Sequence, residues 1–171
     1  HQMLEQLEPA RLDAESATRR DPTLCEAWRL RALVSAEPTE KVAHYTKALA
    51  TCPPGDEAAL LQKRSTAHLG LKNLVEAMKD IDDAIQRAPG DAELHYQRCV
   101  VAWQGQNREG ADGSCSEAIR LDPKHAGARR ARGELRFELG RHADAVADFD
   151  ELVFADAQDH AVRVAAQSGD D

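Results

Sequence analysis

The chain has 171 residues, 42% hydrophobic and 30% charged, with a net charge of −8. This is a folded, water-facing balance, long enough for one ordinary domain or a short repeat array. The acidic charge argues against a nucleic-acid surface, which needs clustered Lys and Arg, and against anionic membranes. No apolar stretch approaches the ~20 residues that span a bilayer. Aromatic residues make up only 4% of the chain, so the interior has to be built mostly from Ala, Leu, Val and Ile.

In chain order, the first 22 residues read as one helix, with Ala10, Ala14 and Ala17 before a stop at Pro22. A helix carrying Trp28 follows, then a short break at Ala36-Glu37-Pro38 and a second helix ending at Pro53. From here the pattern becomes periodic. Ala77, Ala111 and Ala145 are spaced 34 residues apart, as are Arg64, Arg98 and Arg132, then Ile81, Cys115 and Phe149, and finally Pro89 and Pro123. Four columns sharing one period identify an internal repeat. Ala77, Ile81, Ala84 and Ile85 fall at i, i+4, i+7 and i+8, one face of a helix. Turns containing Gly70, Gly105 and Gly140 separate the helices within a unit, and Pro stops end each unit. Asp56 and Asp91 stand where a side chain can cap the following helix. Gly110 and Gly113 interrupt one helix; the close approach of a neighbouring helix is the first expectation there, and a soft point in the helix is the alternative.

The units expected are 1–22 as the second helix of a truncated repeat, then repeats at 23–53, 54–89, 90–123 and 124–157. A further or capping helix is expected to start at 158–171. Such units cannot bury their apolar faces alone and must stack into one array. Arg64 and Arg132 lie sixteen residues before Asp80 and Asp148, a register that sets each guanidinium against a carboxylate on the facing helix. These four residues are read as structural ion pairs.

Ala145-x3-Phe149, Ala77-x3-Ile81, Ala111-x3-Cys115, the closing Pro89 and Pro123, Gly133 after Arg132, and Trp28 together resemble the tetratricopeptide repeat, whose pattern is W-x2-L-G-x2-Y, A-x3-F, P. The resemblance departs in its first half, where Arg replaces the usual Leu. It implies an all-α, right-handed superhelical solenoid of antiparallel helix pairs. It also implies a concave groove, lined by the first helix of each unit, that binds a segment of another protein. The positions it transfers are Glu26, Arg29 and Leu33 in the first unit, and Gln62, Lys63, Thr66 and Leu69 in the second. The third unit contributes Tyr96, Gln97, Val100 and Trp103, and the fourth Arg130, Glu134 and Phe137. Leu69, Trp103 and Phe137 share one column and would form an apolar ridge, or else pack on the next unit. One subgroup of this family clamps acidic chaperone tails with Lys, Asn and Arg. Here Lys63 stands where that Asn would be, with Glu93 and Gln97 where the Lys and Arg would be, so the usual clamp is not expected.

No Walker A loop, GxGxxG, GxSxG or HExxH is present, and an enzyme is not expected. His95 and Cys99 are four apart on one helix, but without a second ligand pair no metal and no cofactor are expected. The four cysteines (Cys25, Cys52, Cys99 and Cys115) show no CxxC spacing and read as buried thiols in a reducing compartment. The expected location is cytoplasmic. The expected role is a protein-interaction scaffold whose groove takes a peptide or helix segment of a partner. The alternative is a client- or substrate-recruiting module of a larger co-chaperone (J-domain type) or enzyme. Self-association through the end repeats is a third reading.

Overall fold

The computed structural model describes the backbone of residues 2–167 and the side chains of residues 8–154. Among the described residues the secondary structure is entirely helical: α1 (Gln2–Arg20), α2 (Cys25–Val34), α3 (Pro38–Thr51), α4 (Glu57–Gly70), α5 (Leu74–Arg87), α6 (Ala92–Gln104), α7 (Arg108–Leu121), α8 (Ala126–Glu138) and α9 (His142–Gln167). The chain divides into two compact units, His1–Pro89 and Gly90–Asp171. No described helix is long and apolar enough to cross a membrane.

In the first unit α2 packs on α3 and α4 on α5, with α1 against α2 and α3 against α4. In the second, α6 packs on α7, α7 on α8 and α8 on α9. Ala77, Ala111 and Ala145 are all buried, and so are Leu60, Leu94 and Ala128 on the first helices of their pairs. Where both helices offer only small side chains the backbones approach closely, which is how a chain poor in aromatics still fills its interior.

The turns inside three of the pairs are built alike. The amides of Asn73, Asn107 and Arg141 donate to the carbonyls of His68, Ala102 and Arg136 at 2.8–2.9 Å. Each bond closes a helix end by a left-handed residue just before it. Those residues are Lys72, Gln106 and Gly140, with φ of 59°, 60° and 73°. Gly70 and Gly105, the turn glycines read from the sequence, belong to the helix ends instead.

A sixteen-residue register organises each of these three interfaces. Gly133 sits against Phe149, and a Cβ on that glycine would stand 2.8 Å from the Phe149 ring. The same step joins Cys99 to Cys115, and in the first unit it separates two buried residues, Ser65 and Ile81, the Ser65 hydroxyl donating to the Ala77 carbonyl at 2.7 Å. Cys99 and Cys115 are joined as a disulfide with Cα atoms 5.2 Å apart, and both residues are 0% exposed. Cys25 and Cys52 form the second disulfide, Cα atoms 4.7 Å apart, tying the start of α2 to the end of α3. The thiol reading is therefore corrected. Cys99 and Cys115 stand on the sixteen-residue step that also sets Arg64 against Asp80, whereas Cys25 and Cys52 have no such spacing and are brought together only by the antiparallel hairpin they close. Cross-links over 27 and 16 residues each remove about 3 kcal/mol of unfolded-chain freedom.

Three further local expectations change. Asp91 caps α6, accepting from the Glu93 amide at 2.9 Å, but Asp56 adopts a helical backbone and makes no side-chain cap. Gly110 is not pressed by a neighbouring helix: its amide donates to the Asn107 side chain, which curls over it, and Gly113 faces open space. The helix expected to begin at 158 is instead the continuation of α9, unbroken from His142 to Gln167 in a stretch without Pro or Gly to stop it.

Around Trp28 the first unit has a polar edge. The indole N–H donates to the Pro22 carbonyl at 2.8 Å, and the Arg31 guanidinium lies 5.4 Å from the ring centroid. His44, its Nδ1 3.0 Å from the Ser35 hydroxyl, stands beside the same indole. Burial, with the Arg31 charge adding to it, pushes the His44 pKa below the usual histidine value, while Glu40 opposes.

Candidate interaction clefts

A cleft in each unit gathers residues singled out in the sequence. The cleft of the first unit has a volume of about 310 Å³. Its walls come from α2 (Glu26, Arg29, Leu30 and Leu33), α3 (Tyr45) and α4 (Ala59, Leu60 and Lys63). The helical repeat explains the set: Glu26, Arg29, Leu30 and Leu33 occupy i, i+3, i+4 and i+7, one stripe of α2. Leu60 and Tyr45 form a buried floor, while Leu33 is 71% exposed at the lip. Burial raises the Tyr45 pKa, with the Arg29 charge opposing it, so the phenol stays protonated. Arg29 is engaged on the rim, 3.2 Å from Glu26 and 3.0 Å from Asp56. Lys63 is exposed and makes no ion pair among the described residues. The cleft thus offers an apolar floor with one available cation at its edge. Thr66 lies one turn farther along α4, where its hydroxyl is returned to the Gln62 carbonyl at 3.1 Å. Leu69 is half-buried at the end of α4 and does not line this cleft.

The second unit's cleft, about 450 Å³, is lined by Trp103, Glu134, Phe137, Glu138 and Phe149. Phe137 is 61% exposed and its ring lies 5.0 Å from that of His142. Trp103 is held by its indole N–H, which donates to Glu138 at 3.2 Å, while Arg108 pairs with the same carboxylate at 3.1 Å. Tyr96 and Gln97 are placed elsewhere. The Tyr96 ring packs 4.9 Å from His125, and Gln97 donates to Glu93, whose other oxygen lies 3.1 Å from His125. Val100 is half-buried and Arg130 exposed, and neither lines the cleft.

The Arg and Asp residues of the repeat lie inside the helix pairs. Arg64 binds Asp80 through two bonds of 2.8 and 2.6 Å, and Arg132 binds Asp148 through two of 3.0 and 2.5 Å. The Asp80 hydrogen bonds raise the Arg64 pKa against the cost of burial. Each Arg also reaches back to the preceding helix, Arg64 to the Thr46 hydroxyl and Arg132 to that of Ser116, both at 3.1 Å. Arg136 adds a bond to Asp148 at 3.0 Å and one to Asp112 at 2.9 Å. Arg98 donates to Ser114 at 2.8 Å.

Sequence reasoning missed Leu30, Tyr45, Ala59 and Leu60 in one cleft, and Glu138 and Phe149 in the other. Leu30 was legible as the missing member of the α2 stripe. Tyr45 and Phe149 come from second helices, which a reading confined to first helices passes over.

No protein-family model matches the sequence, and neither does any curated protein sequence. Solved structures do match. A crystal structure of MamA superposes with a TM-score of 0.83 at 14% identity, covering 93% of this chain and 94% of that one. YrrB, described as a TPR protein with an unusual peptide-binding site, gives 0.73 at 18% identity, covering 98% and 86%. The second TPR of Spaghetti (RPAP3), bound to the HSP90 peptide SRMEEVD, gives 0.56 at 24% identity, covering 58% and 92%.

Proposed function

We infer that this chain, which has the tetratricopeptide-repeat fold, is a protein-interaction module that holds an extended segment of a partner protein. The observation that carries this reading is the cleft of the first unit, where a floor of Tyr45 and Leu60, walled by Leu30, lies beside the Lys63 ammonium. An apolar side chain fills such a floor, and a carboxylate one or two residues away reaches Lys63. Apolar anchors buried in a pocket supply most of the energy of such contacts, and the rim charge selects among partners. The cleft around Trp103 and Phe137 offers a second apolar anchor point, with Glu134 and Glu138 giving it the opposite charge preference. The set of Lys, Asn and Arg that would clamp an acidic chaperone tail is not at the matching positions, so the partner proposed is not such a tail. The role proposed is a scaffold and not a catalyst. Recruitment of clients for a larger co-chaperone or enzyme remains the alternative. The two disulfides favour an oxidising compartment over the cytoplasm expected from the sequence.

Peptides selected by display against the intact chain test this. Selected sequences are expected to pair an apolar residue with Asp or Glu, and Lys63→Glu is expected to weaken them at least tenfold. Affinity unchanged by both Lys63→Glu and Leu33→Asp would overturn the site.

A further inference from the structure

Three helix ends meet at Cys25, the first residue of α2, Cys52, which caps the end of α3, and Asp56, which precedes α4. One ligand atom from each lies within 4.8 Å of the other two, and all three residues are partly exposed. The contrast with Cys99–Cys115, sealed at 0% exposure, is chemical as well as geometric. A reductant reaches an exposed disulfide by direct attack, whereas a sealed one waits for the fold to open. The carboxylate adds an independent observation. Asp91 spends its side chain on capping α6, but Asp56 makes no cap and directs its carboxylate toward Arg29 and the cysteines.

We propose that Cys25, Cys52 and Asp56 form a redox-gated site for a thiophilic divalent cation of the zinc class. A dithiol reductant supplies two electrons and two protons, breaks the Cys25–Cys52 bond to two thiols, and is itself oxidised to its own disulfide. The cation then displaces both thiol protons to solvent and binds two thiolates and one Asp56 oxygen. Water completes the four-coordinate shell such ions take. Tetrahedral bonds of ~2.3 Å set two sulfurs about 3.8 Å apart, a spread that side-chain rotation supplies once the covalent bond is gone. Arg29, the present partner of Asp56 at 3.0 Å, gives up that bond and keeps Glu26. Oxidised, the site is closed to metal; reduced, it is open. This inference stands independently of the clefts.

The test uses the whole chain, reduced with dithiothreitol under native conditions, desalted without oxygen, and titrated with Cd2+. Alkylation and mass mapping are expected to find Cys25 and Cys52 free while Cys99–Cys115 stays closed. A thiolate-to-cadmium charge-transfer band is expected to saturate at one ion per chain, and Zn2+ to abolish it by competition. Asp56→Asn, which keeps both disulfides and hence the oxidised fold, is expected to weaken Cd2+ at least tenfold. Three results would each overturn the proposal: opening of both disulfides together, no band in the reduced chain, or an unchanged affinity in Asp56→Asn.

Discussion

Asp148 is shared by two guanidiniums, Arg132 through both of its oxygens and Arg136 through one, whereas Asp80 holds only Arg64 in this bidentate way. Both carboxylates are nearly sealed, at 3% and 2% exposure. A buried charge stripped of its partner costs far more than the intact pair contributes. Asp80→Ala should therefore destabilise the first unit by about 3–5 kcal/mol, measured by urea unfolding. Asp148→Ala strands Arg132 and leaves Arg136 with Asp112 alone, and should cost about as much.

The left-handed turn positions can be improved. Lys72 and Gln106 hold φ near +60°, where Gly140 sits in the following repeat. An L side chain there costs about 1–2 kcal/mol relative to its normal region. Lys72→Gly and Gln106→Gly should each raise the unfolding midpoint by an amount worth about 1 kcal/mol, less the backbone freedom glycine adds to the unfolded chain. A lower midpoint in both would refute the argument.

Two helical glycines should respond in opposite directions to alanine. Gly133→Ala drives a Cβ to 2.8 Å from the Phe149 ring and should cost about 1–3 kcal/mol. Gly113→Ala enters open space and should stabilise by about 1 kcal/mol through helix propensity alone. Thermal unfolding of the two variants side by side reads the sign directly.

Acid should weaken the first unit before its carboxylates titrate. His44 has its pKa lowered from 6.5 by burial and Arg31. The unfolded chain therefore binds this proton more readily, and stability rises with pH where the unfolded histidine is protonated. The contribution is fully present above pH 6.5 and is lost as pH falls through the lower folded value. Denaturant curves at pH 7.5 and 5.5 should show the loss in the native chain and a smaller one in His44→Gln.

Much of this architecture was legible because repetition multiplies weak signals. The Ala column, the Arg–Asp register and the Pro stops each recur, and each reports a helix–helix contact the backbone must make. What stayed illegible was whatever occurs once. Asp56 looks like Asp91, but its loop has an extra proline and a Gly55 at φ +117°, which leaves the aspartate helical and its side chain off the cap. Gly110 answers to its own cap residue and not to a neighbouring helix. The cysteine pairing across α6 and α7 was within reach, since the sixteen-residue step that sets Arg64 against Asp80 also sets Cys99 against Cys115. Cys25 and Cys52 follow no such step. The clefts were legible only on their first-helix walls, because helix periodicity ranks residues within one helix and says little about which second-helix side chain reaches across.

The sixteen-residue register couples positions that lie far apart in sequence. Cys99 with Cys115 and Gly133 with Phe149 divide the space between facing helices in two different ways, and Ser65 and Ile81 are the buried residues at the same step in the first unit. The occupants differ from repeat to repeat in this one chain: hydroxyl and alkyl, two sulfurs, a bare backbone and a ring. A change at one of these positions therefore has to be judged against its opposite number sixteen residues on, and not against its own column alone.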